Sequence, residues 1–182
     1  ILNDFNINCQ VIASQVDEDE VKQSLLAEGA DPLIISKNLA EIKSIKVSSK
    51  NPDRLVIGAD SVISLQDQLI NKPRSRDEAF SILKKLNNSV HYLITSVCIS
   101  KNGAMIWNHS DSSELKMKNL TEEQLKDYLG KIDTNTLLAY GVYQIEAEGM
   151  NLFEYVKGDH NSIMGLPIKS IINYIKQFKN ND

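Results

Sequence analysis

Apolar positions along the chain change their period several times, and each change marks an element. From Asp31 onward Ile35, Leu39, Ile42 and Ile45 return at helical spacing, behind an Asp31-Pro32 pair that supplies an N-cap and a proline at the first helical position. Ser48 to Asp53 is polar and loop-like. Leu55 to Ala59 is a short apolar run, which predicts a buried strand. Ser75 and Glu78 then form a capping-box pattern ahead of Ala79, Phe80, Ile82, Leu83 and Leu86, the inward face of a helix that Asn87-Asn88 ends. HYLITSVCIS and AMIW flank Asn102-Gly103, a pair suited to a turn with positive φ, so a hairpin is expected. Leu115 and Met117 alternate with Lys116 and Lys118, as in a half-buried strand.

Thr121 with Gln124 is a second capping box, with Leu120 and Leu125 placed as a hydrophobic staple. Ile168, Ile171, Ile172, Ile175 and Phe178 give the last helix its apolar stripe. At the other end, the first residues read as a helix tail followed by a strand around Cys9 to Ala13, and VDEDE (Val16 to Glu20) as an acidic turn. Strands and helices interleave throughout. The expected fold is α/β, a mixed, twisted central sheet with flanking helices and two lobes around a cleft.

Composition narrows the function. The 182 residues are 42% hydrophobic and carry a net charge of −4, enough for a cored domain and with no global basic field to recruit nucleic acid. No local basic patch with interleaved aromatics replaces it. No apolar run reaches the roughly 18 residues of a membrane span, and no signal peptide is visible. Cys9 and Cys98 lie far apart and read as reduced, packed thiols of a cytoplasmic protein.

The candidate chemistry centres on VIGADSV (Val56 to Val62), where an acid follows an apolar run and a Gly-Ala pair read as a turn. An acid at the carboxyl edge of a sheet is well set to hold a metal or activate water, although a loop Asp also commonly caps turns. Lys72-Pro73 follows after SLQDQLI, an excursion expected to double back toward the strand end, and its lysine is placed to grip a phosphate. Lys43 sits on the polar side of its helix. Glu18, one of four successive acids, is either a solvated residue or a metal ligand. His91, His109 and His160 have no zinc-like spacing and read as structural or surface residues. GxGxxG, Walker and GxSxG patterns are absent.

Several segments together resemble one family in order and spacing. VDEDE, LAEIK (Leu39 to Lys43), VIGADSV, NKP (Asn71 to Pro73), SVHYLITSV, AYGVYQIEAEG (Ala139 to Gly149) and GDHNSIMGLP (Gly158 to Pro167) resemble the Maf family over nearly the whole chain. The resemblance implies a metal-dependent nucleoside triphosphate pyrophosphatase that releases a monophosphate and pyrophosphate, with Mg²⁺ or Mn²⁺ as cofactor. It further implies a link to septum formation and arrest of cell division, and a frequently dimeric assembly. Carried over by position, Asp60 is the proton acceptor and, with Glu18, a metal ligand. Lys43 and Lys72 line the substrate cleft, and Ser61 influences base choice. Glu146 stands where many members have Gln, which replaces an amide able to donate with an ionised acceptor.

Family members open with a strand and an S-x-S-x-x-R loop that holds phosphates, and this chain begins after that point. Two readings follow: a truncated sequence, favoured by Ile1 not being Met, or a copy without the clamp. In the second case the alternative function is non-catalytic nucleotide binding or division regulation. A third reading is an unrelated α/β hydrolase that uses Asp60 on another phosphate ester.

Overall fold

The computed structural model describes residues 1–145 and 148–181, so Glu146 lies outside the described residues. Helices α1 (Glu18–Ala27) and α2 (Pro32–Ser48) come first, followed by strands β1 (Val56–Leu65) and β2 (Gln68–Ile70) and helix α3 (Arg76–Leu86). Strands β3 (Val90–Lys101) and β4 (Ala104–Met117) lead to α4 (Glu122–Gly130) and α5 (Thr134–Tyr140). Strand β5 (Phe153–Lys157), the short α6 (His160–Ile163) and α7 (Ile168–Asn181) complete the chain. The sheet runs β2-β1-β3-β4-β5. The α/β class with flanking helices stands. All four pairings among the described residues are antiparallel, where a mixed sheet was expected.

Two tight hairpins set that pairing. Asn102 and Gly103 both take positive φ and join β3 to β4 as their sequence predicts. Gln66 and Asp67 also take positive φ, so SLQDQLI does double back, as the β1–β2 hairpin. Strand β1 therefore runs through Asp60 to Leu65, and Gly58-Ala59 is mid-strand, not a turn. Gly58 is required for close approach. A Cβ there would lie 2.5 Å from the Ala40 carbonyl oxygen and 2.7 Å from the Ser44 nitrogen, both backbone atoms of α2.

Asp31 caps α2 as expected, accepting from Ile34 N at 2.8 Å. The capping box at Thr121 and Gln124 is complete. At α3 only half of it forms: Ser75 accepts from Glu78 N, while the Glu78 carboxylate turns to Arg74 N at 2.7 Å. The acids of VDEDE do not make a turn. Asp17 caps α1 and Glu18, Asp19 and Glu20 occupy its first turn, where the helix dipole favours negative charge. Cys9 to Ala13 forms no strand among the described residues; an extended segment without a neighbouring ladder gains nothing from strand geometry, and Val11 is 93% exposed. Cys98 is packed as expected, whereas Cys9 is exposed.

Side chains on the two sheet faces meet different partners. One face, with Val62 and Ile94, packs on α1 and α2 through Ile35 and Leu39. The other carries two apolar clusters. Leu115 and Leu93 belong to the larger one, formed with α3, α4 and α5. Val97 and Ile99 pack with Ile171 of α7. Between these clusters, on the same face, the facing positions Ser61, Thr95 and Asp111 make a polar row across three strands.

Candidate active site

Alternation along β1 sends the neighbours Asp60 and Ser61 to opposite faces. Asp60 turns toward α2 and is only 8% exposed. Its backbone carbonyl accepts from Ser36 Oγ at 3.0 Å, fastening strand to helix. Its Oδ1 accepts from Lys43 Nζ at 2.7 Å, and Lys43 Nζ stands 2.6 Å from Glu18 Oε1. Three elements thus deliver Glu18, Lys43 and Asp60 to one ion-pair chain. The close approach at Gly58 brings the Lys43 turn of α2 within reach, so a lysine on the polar side of its helix is mostly covered.

The electrostatics of the trio are mutual. Burial holds the Asp60 carboxyl above the ordinary carboxylate range, against the opposing pull of Lys43. Burial would lower the Lys43 ammonium, but the Asp60 and Glu18 carboxylates outweigh it and the net direction is up. Glu18 is also desolvated, yet its pKa falls because Lys43, Lys72 and Lys22 surround it with positive charge. Asp60 Oδ2 is buried and accepts no hydrogen bond among the described residues. That leaves one hard oxygen without a partner beside a second carboxylate. Such a donor set fits Mg²⁺ or Mn²⁺, ions commonly held by one or two carboxylates and completed by phosphate and water oxygens. Among the described residues no group of three or more His, Cys, Asp or Glu offers an all-protein cage.

Two openings adjoin one another, and one of them reaches the trio at Glu18. One, of about 320 Å³, is lined by Glu18, Lys22 and Lys72. Lys22, Asn71 and Lys72 also border the other, of about 230 Å³, where Ser61 faces Tyr143, Gln144 and Gly165. Lys43 and Asp60 line neither. Lys43 borders a third space of about 570 Å³ between residues 7–12 and the start of β1. Of the residues singled out in the sequence, Glu18, Lys43 and Asp60 are in contact, Lys72 acts on Glu18 by its charge, and Ser61 is on the far face.

Lys22 escaped the sequence reading, although Glu18 and Lys22 stand at i and i+4 and pair at 3.8 Å. Thr95 escaped as well. Its Oγ1 lies 2.8 Å from Ser61 Oγ, a contact visible only once the register pairs Ser61 with Thr95. No described helix is long and apolar enough to cross a membrane.

Comparison with known proteins adds an independent line. The family model for Maf-like protein matches residues 1–178. A nucleoside triphosphate pyrophosphatase of Pelagibacter ubique is 54% identical, with 98% of this chain and 92% of the relative covered. A second protein of that name, from Ruegeria pomeroyi, is 36% identical over 88% of this chain and 81% of its own. A 7-methyl-GTP pyrophosphatase of Brucella abortus is 32% identical over 98% of this chain and 90% of its own.

Proposed function

This chain belongs to the Maf family, and on that premise we propose that it is a cytoplasmic hydrolase that cleaves nucleoside triphosphates to the monophosphate and pyrophosphate. The observation that carries the proposal is the Glu18–Lys43–Asp60 chain, with Asp60 Oδ2 buried and free to accept. Names borne by its relatives supply the substrate class, and 7-methyl-GTP joins the ordinary nucleotides as a candidate. Removal of such triphosphates from the pool is the expected house-cleaning role, and arrest of cell division the downstream effect that the family resemblance connects with it.

On this reading the nucleoside end enters the opening beside Ser61, and the phosphates extend past Lys22 and Lys72 toward Glu18. The lysines offset phosphate charge, the main requirement of phosphoryl transfer. Asp60 Oδ2 takes the proton of a water molecule whose oxygen attacks the α-phosphorus. The Pα–O bond to the β-phosphate breaks, and pyrophosphate leaves with that bridging oxygen. A base held above the usual carboxylate range is better matched to proton transfer near neutral pH than an ordinary aspartate. Asp60 and Glu18 are the residues that would hold Mg²⁺ or Mn²⁺, which when bound polarises the phosphoryl oxygens and acidifies water.

Product analysis in ¹⁸O-water tests the proposal. The four ribonucleotides, dTTP and 7-methyl-GTP are incubated with the protein and Mg²⁺ or Mn²⁺. Pyrophosphate release with ¹⁸O in the monophosphate is expected. Orthophosphate as the first product, or nucleotide binding without turnover, overturns it.

A further inference from the structure

We propose that Asp111 is a positioning residue that fixes the wall of the nucleoside opening by latching Ser162. The proposal rests on the pyrophosphatase reading of the same cleft. Asp111 stands on β4 in register with Thr95, and Thr95 with Ser61, so the three share one row on one face. Thr95 and Ser61 are joined by their hydroxyls at 2.8 Å. Asp111 turns both carboxylate oxygens outward from this row. Oδ2 accepts from Ser162 Oγ at 2.5 Å, and Oδ1 lies 2.9 Å from His109 Nε2. His109 is itself stacked on Trp107, at 5.9 Å between ring centroids and 9° between planes, which restrains the carboxylate from its other side.

Ser162 is 1% exposed and lies in α6, immediately before the residues that wall the opening. Ile163, Met164 and Gly165 line it opposite Ser61, and a Cβ on Gly165 would be 3.8 Å from Ser61 Oγ. Gly165 has φ +95, a conformation reached at low cost only by glycine, so this stretch holds a specific backbone path. A helix of four residues has too few internal bonds to keep that path unaided. Asp159 caps its first turn through Asn161 N and Ser162 N and is tied to Lys169, but these contacts join the segment to itself and to α7. The Ser162–Asp111 bond ties it to the sheet that carries Ser61. Ile163 packing on the core and the close approach of Gly158 to Ser113 seat the ends of the segment, and the Ser162–Asp111 bond, which touches no substrate atom, fixes its middle and with it the width of the opening.

A wall contacting the nucleoside alike in ground and transition states acts on binding, not on the chemical step. Asp111→Ala and Ser162→Ala are expected to raise KM roughly tenfold, the usual scale for losing a hydrogen bond to a charged group, with kcat little changed. Asp111→Asn is expected to rescue, since its amide oxygen still accepts from Ser162. Kd for α,β-methylene analogues of the four ribonucleotides, 7-methyl-GTP and dTTP, measured by calorimetry, gives the same comparison without turnover. If Asp111→Ala does not fold, Ser162→Ala, which deletes one oxygen, decides alone. A folded Ser162→Ala protein with wild-type KM and Kd overturns the inference, as does a fall in kcat at unchanged KM. Wild-type protein that neither binds nor cleaves any of the six overturns the pyrophosphatase reading as well, which separates the two failures.

Discussion

Lys43 holds Asp60 through one carboxylate oxygen, at 2.7 Å, and leaves the other buried and without a partner among the described residues. The lysine fixes the orientation of the carboxylate, while Oδ2 stays available to take a proton or meet a cation. Replacing that oxygen with an amide nitrogen removes the acceptor and keeps the shape. Asp60→Asn is therefore expected to lower kcat by about 100-fold or more, the scale of general acid–base catalysis, while the protein remains folded. Pyrophosphate release and circular dichroism measured together check this; wild-type kcat in the variant sinks the assignment of Asp60.

Lys43 is also a structural counter-ion. Its loss leaves Asp60 buried and unpaired among the described residues, and Glu18 with the weaker Lys22 contact and the charge of Lys72. Lys43→Met should cost about 3 kcal/mol of stability, the usual penalty for removing one partner of a buried pair. Adding Asp60→Asn should recover part of that loss, because the unpaired charge disappears. Urea unfolding of the two single variants and the double variant measures the coupling. Additive losses would show that the pair is not an energetic unit.

Because Lys43, Lys22 and Lys72 together already offset the charge of the two carboxylates, the nucleotide-free protein gains little from a divalent ion. Mg²⁺ stabilises appreciably only when triphosphate oxygens complete its coordination. EDTA is thus expected to abolish turnover yet leave the melting temperature of the nucleotide-free protein unchanged. Mg²⁺ added with an α,β-methylene nucleotide should raise it. A melting temperature that climbs with Mg²⁺ alone would contradict this account.

Local patterns made much of this legible beforehand. The capping residues of α2 and α4, the Asn102-Gly103 hairpin and the stripe of α7 each depend on residues close in sequence. The site was legible as a set of residues and not as an arrangement. Lys43 belonged on a polar helix face until Gly58 allowed that helix close enough for its ammonium to reach β1. Asp60 read as the end of a strand because Gly58-Ala59 reads as a turn, whereas that glycine lies within β1 and allows the close contact of α2 with the sheet. Thr95, Asp111 and Ser162 come together through strand register and a chain reversal, which no local pattern encodes.

Gly58 offers a test of how closely α2 must approach. Its nearest would-be neighbours are backbone atoms of Ala40 and Ser44, which cannot rotate away as a flexible side chain would. Gly58→Ala should push α2 outward, cost roughly 1–3 kcal/mol as an overpacked core position does, and carry Lys43 away from Asp60. Both the melting temperature and kcat are expected to fall. Wild-type values of both in this variant would mean that the helix accommodates a methyl group without moving the lysine.

The last prediction concerns acid sensitivity far from the trio. His91 is fully buried, bonded to the Tyr143 hydroxyl at 3.0 Å and packed against Phe153. Burial lowers its pKa from 6.5 to about 4. The folded state therefore favours the neutral ring, and the stability this contributes is complete above pH 6.5. As the pH falls below 6.5 the unfolded chain takes up the proton and the folded protein does not, so stability declines until the folded ring protonates near 4. At 1.36 kcal/mol for each pH unit between the two values, the loss is about 3 kcal/mol. His91→Gln cannot protonate, so the difference in stability between wild type and variant should shrink steadily from pH 7 to pH 4.5. Urea unfolding midpoints across that range measure it. Parallel stability profiles for the two proteins would rule out His91 as the source of the acid dependence.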